Sequence, residues 1–74
     1  MKGVKYNLKM ACPNEQFRFY NGCDMETLIK NIKEHLKQIN HIEMKITNHI
    51  VYNLIKRKEK SNGILRNMCF IQKV

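Results

Sequence analysis

VKYNLKMAC, residues 4–12, is the stretch that sets the fold class. Val4, Tyr6, Leu8, Met10 and Cys12 alternate with Lys5, Asn7, Lys9 and Ala11. A repeat of two puts the first set on one face of a strand and the second set on the other. Pro13 and Asn14 end the run, because proline has no amide proton for a ladder and both residues favour turns. QFRFY, residues 16–20, resumes the alternation, with Phe17 and Phe19 on one side and Gln16, Arg18 and Tyr20 on the other. Two such runs parted by three residues predict an antiparallel hairpin. Asn21-Gly22 then reads as a second turn, since both residues tolerate positive φ.

The period changes after Gly22. In DMETLIKNIKEHLKQI, residues 24–39, the apolar positions are Met25, Leu28, Ile29, Ile32, Leu36 and Ile39. Spacings of three, four and seven make one helical stripe. Asp24 is an N-cap, and Glu26 suits the positive end of the helix dipole. Glu26 with Lys30, Lys30 with Glu34, and Glu34 with Gln38 are neighbours on the outer face. A second helix begins at Thr47, another N-cap, with a stripe of Ile50, Val51, Leu54 and Ile55. Ile46 is placed to staple onto Val51. Lys56, Arg57 and Lys58 suit the negative end of that helix. Ser61, Asn62 and Gly63 make a turn, and ILRNMCFIQKV, residues 64–74, closes the chain as a third strand with poor alternation.

The expected architecture is therefore a single α+β domain over residues 1–74, a two-layer β-β-α-α-β unit with two helices on one face of a three-stranded sheet. Two helices would return the chain to the end it left, so the last strand is expected parallel to the first and antiparallel to the second. The other face would then show Lys5, Asn7, Lys9, Gln16, Arg18 and Tyr20, a basic and polar surface that is a second expected site for nucleic acid, with Tyr20 and Arg18 to stack on single-strand bases, ranked below the second helix. A domain this short buries only about 60–65% of its unfolded surface, so its core is small.

Composition narrows the function classes. No apolar run approaches the ~18 residues of a membrane span, and the first residues lack the apolar core of a signal peptide. Three cysteines, Cys12, Cys23 and Cys69, are an odd number, which fits free thiols in a reducing cytoplasmic or nuclear setting better than a disulfide framework. They stand 11 and 46 positions apart, and His35, His41 and His49 are not paired with them at zinc-ligand spacing, so no metal or other cofactor is expected. Gly3, Gly22 and Gly63 form no phosphate-cradling loop, and no nucleophile or acid–base signature is present, which points away from an enzyme.

The charge points to a polyanion. Fourteen basic and six acidic residues leave a net +8. A surface of that sign attracts nucleic acid and speeds encounter with it. Abundant Lys, Asn and Ile also match an AT-rich genome, which raises lysine content without selection for binding. With Ile50, Val51, Leu54 and Ile55 facing the core, Asn48, His49, Tyr52, Asn53 and Lys56 face outward. These are hydrogen-bonding types suited to base edges or phosphates, and a free helix N-terminus suits a phosphate. Arg57, Lys58 and Arg66 would flank them as backbone contacts.

ITNHIVYNLIKR, residues 46–57, resembles the recognition-helix half of a helix-turn-helix. In order of elements the chain also resembles the small modular DNA-binding motifs attached to homing endonucleases of phages and large DNA viruses. The resemblance implies a non-enzymatic module that binds DNA in preference to RNA through the second helix. The rival expectation is a protein-interaction or structural subunit, such as a viral assembly component, whose charge serves solubility. Pairing of two copies through the open edge of the last strand is the expected route to a homodimer.

Overall fold

The computed structural model describes residues 3–14, 16–57 and 63–74. Its elements are β1 (Tyr6–Ala11), β2 (Phe17–Cys23), α1 (Met25–Ile39), α2 (Asn48–Lys56), α3 (Gly63–Met68) and β3 (Cys69–Lys73). The strands form one antiparallel sheet in the order β2-β1-β3, so the chain is a small α+β domain.

β1 is the central strand, and its alternation holds: Tyr6, Leu8 and Met10 are buried beneath the helices. Cys12 N–H donates to Gln16 O at 3.0 Å, and Gln16 N–H donates to the Asn14 side chain at 3.2 Å, closing the hairpin. Asn21-Gly22 is a bulge inside β2 rather than a turn. Tyr6 pairs with Cys23 but Leu8 pairs with Tyr20, so β2 carries one extra residue there. Gly22 has φ 69°, a conformation that suits a residue without a Cβ, and its N–H donates to the Asn7 side chain at 3.0 Å.

Both expected helix caps form. The Asp24 carboxylate accepts from Thr27 N–H at 2.8 Å, and Thr47 Oγ1 accepts from Ile50 N–H at 3.3 Å. α1 buries Leu28, Ile32, His35 and Leu36, and α2 buries Val51 and Leu54. Leu65, Ile46, Cys23 and Cys69 complete the core, within which Cys69 Sγ lies 3.3 Å from Met10 Sδ. His35 Nε2 donates to Ala11 O at 3.1 Å, which ties α1 to the end of β1. Among the described residues no helix is long and apolar enough to cross a membrane.

Three expectations need correction. The first part of ILRNMCFIQKV is helix, not strand. Leu65 is buried and Met68 half-buried at a helical spacing of three, and extended pairing starts only at Cys69. α3 is a third helical segment between α2 and β3, so a count of two helices no longer sets the direction of the last strand. β3 runs antiparallel to β1, with Met10 opposite Cys69 and Tyr6 opposite Lys73, instead of parallel to it. Finally, Phe17 and Phe19 do not face the helices. The hairpin sets Ala11 opposite Phe17 and Lys9 opposite Phe19, and opposed residues share a face. Tyr20 and Arg18, opposite Leu8 and Met10, lie on the helix side, where Tyr20 packs on the core.

Leu36→Ala is expected to lower stability by about 2–5 kcal/mol through the cavity it opens, and Thr47→Ala by about 1 kcal/mol through the lost cap, both read by urea unfolding. The amide of Thr27 holds the Asp24 pKa below its ordinary 3.8. That contribution is present above the ordinary value and is lost as pH falls through the lowered one. Asp24→Asn keeps a capping side chain but removes this acid-side slope, so the stability difference between parent and variant should hold steady at neutral pH and shrink as pH falls below the ordinary 3.8.

Candidate nucleic-acid interface

The helices cover one face of the sheet and leave the other open. On the open face Lys9 stands at the centre of β1, with Phe19 opposite it on β2 and Phe70 opposite it on β3. Phe17 lies beside Ala11, one pair further along. All three rings are uncovered: Phe17 is 46% exposed, Phe19 63% and Phe70 40%. The Lys9 ammonium sits 4.3 Å from the Phe17 ring centroid and 5.7 Å from that of Phe70. A cation at that range is attracted to the negative face of the ring. None of the three strands contains an Asp or Glu.

α2 reaches this face by its C-terminal end. Arg57 caps α2 in the left-handed conformation, φ 52° and ψ 42°, where glycine is the usual residue. Its guanidinium donates to Cys69 O at 3.2 Å and to Arg66 O at 3.0 Å, and its Cζ lies 5.5 Å from the Phe70 ring centroid. Arg57 thus ties the end of α2 to the junction of α3 and β3 and sets a positive charge at the sheet's edge. Together Asn7, Lys9, Phe19, Arg57, Phe70 and Gln72 line a groove of about 700 Å³.

The residues singled out from sequence divide into three groups. Asn48, His49, Tyr52 and Lys56 are exposed on α2, with Asn53 half-buried beside them, as the helical spacing implies. Arg57 is at the groove, and Arg66 is half-buried on α3 with its carbonyl taken by Arg57. Lys58 lies outside the described residues. The polar row of α2 and the open sheet face are thus separate surfaces that meet at Arg57. Sequence reading missed Phe17, Phe19 and Phe70. The signal that finds the first two is hairpin parity, because a loop that sets residue 11 against residue 17 puts Phe19 across from Lys9.

The thiols are not part of this surface. Burial pushes the Cys69 pKa up to about 12, so its reactive thiolate is scarce at neutral pH. Cys23 is buried and Cys12 half-buried, with no disulfide among them. No group of three or more His, Cys, Asp or Glu among the described residues is arranged to hold a metal ion. No protein-family model, curated protein or solved structure matches the chain.

Arg57→Ala is expected to cost about 1–3 kcal/mol, since it removes two charge-assisted bonds while the left-handed backbone stays as it was. Arg57→Gly loses the same bonds but relieves the backbone, so urea unfolding should find it about 1 kcal/mol more stable than Arg57→Ala. In the folded protein Ellman's reagent should modify Cys12 first and Cys69 last, with all three thiols reacting rapidly in denaturant.

Proposed function

We propose that the chain is a small, non-enzymatic nucleic-acid-binding module. The observation that carries this reading is the open sheet face, where uncovered phenylalanines share one surface with Lys9 and Arg57 and the strands hold no carboxylate. Aromatic rings offer stacking surfaces to bases and the cations attract phosphates, while the net +8 raises the local concentration of any polyanion. The exposed polar row on α2, Asn48, His49, Tyr52 and Lys56, is a second contact surface suited to a duplex groove and is the basis for DNA as ligand. The sheet face ranks first because it joins rings to charge.

Uncovered rings on a sheet also favour a second reading, a protein-interaction module. Titration of a fluorescently labelled 20-base oligonucleotide at low and near-physiological salt separates the two. Binding should weaken along a straight log–log line with a slope of several counterions. Absence of binding at low salt, together with a concentration-dependent mass in sedimentation, would replace the nucleic-acid reading by the protein-interaction one.

A further inference from the structure

Building on the nucleic-acid reading, we propose that the open sheet face binds single-stranded nucleic acid, with bases stacked on Phe19, Phe70 and Phe17 and the backbone held at Lys9 and Arg57. The strand pairing carries the argument. Phe19 and Phe70 both stand opposite Lys9, one on each neighbouring strand. Adjacent strands are about 4.8 Å apart, so the roots of these two rings are separated by about 10 Å across the sheet. That distance and the third ring one pair along give a platform for two or three splayed bases, with a lysine between them.

Duplex does not fit this surface. A phenylalanine ring stacks on the flat face of a base, and in a duplex those faces are covered by neighbouring base pairs. A single strand offers them freely. Amide side chains that could read a base edge are few on this face, Asn7, Asn21 and Gln72 among the residues lining the groove, so stacking with little sequence preference is expected. Lys9 has a defined part in the exchange. In the free protein its ammonium lies over Phe17, and a base that takes that ring face moves the ammonium toward the adjoining phosphate.

The test compares polarisation titrations of a labelled oligothymidylate and a matched 20-base-pair duplex, using the parent and four variants checked for native melting temperature. The parent should prefer the single strand. Phe19→Ala combined with Phe70→Ala should weaken single-strand binding at least about tenfold with the salt slope unchanged, because stacking releases no counterion. Phe19→Tyr combined with Phe70→Tyr should restore it. Lys9→Met should reduce the slope by about 0.7, the share of one phosphate contact on a single strand. Lys33→Ala combined with Lys37→Ala, exposed on α1 in the helix layer, should change single-strand affinity less than about twofold. The platform is wrong if the double alanine variant on the sheet binds normally, or if the parent prefers the duplex; salt-sensitive binding by the parent would then leave the broader nucleic-acid reading standing. If the parent binds neither ligand and forms a dimer that the same double variant dissociates, both readings fall and the face is a contact between copies of the chain.

Discussion

The register of the β1–β2 hairpin is the constraint on which the rest of the molecule depends. A strand's two faces are one residue apart, so the pairing of Ala11 with Phe17 decides what every residue of β2 meets. It sends Tyr20 to the core beside Leu8 and sends Phe17 and Phe19 outward beside Lys9. The bulge at Asn21-Gly22 then shifts the phase once more, so that Cys23 returns to the helix side, where it is buried at the start of α1. Without that extra residue Cys23 would point away from the core it helps to close.

The same constraint separates what was legible in the sequence from what was not. Repeating patterns within one element were legible. The alternation of β1, the apolar stripes of α1 and α2, and the caps Asp24 and Thr47 all depend on neighbours along the chain. Relations between elements were less so. The phase of β2 depends on the geometry of a short loop, and hydrophobicity alone wrongly assigned Phe17 and Phe19 to the core. The direction of β3 depends on how many times the chain turns back, and the six residues of α3 are too few to show a helical stripe.

The candidate interface was legible only in part for the same reason: the open face and its Lys9 were expected from the alternation of β1, but Arg18 and Tyr20 were expected where Phe17 and Phe19 stand. Positive charge was legible, and so was the outward row of α2. The coincidence of three rings with Lys9 was not, because Phe19, Lys9 and Phe70 come from three strands and meet only through pairing. Arg57 was legible as a cation at a helix end, but its bonds to the carbonyls of Arg66 and Cys69 depend on where α3 leads the chain. It joins two tasks, since one side chain closes a helix and puts charge at the rim of the groove.

The sheet order carries a further consequence. With β1 in the middle, β2 and β3 are both edge strands, and β2 contains the aromatic run FRFY. Such a segment on an open edge is a template for chain-to-chain ladders. Two features oppose that growth. Arg18 interrupts the run with a charge that a stacked copy would have to face, and the bulge at Asn21-Gly22 breaks the regular pairing between Tyr20 and Cys23. Only a short stretch of even ladder is left on offer. The chain thus keeps its rings in water while its β2 edge offers only a short ladder.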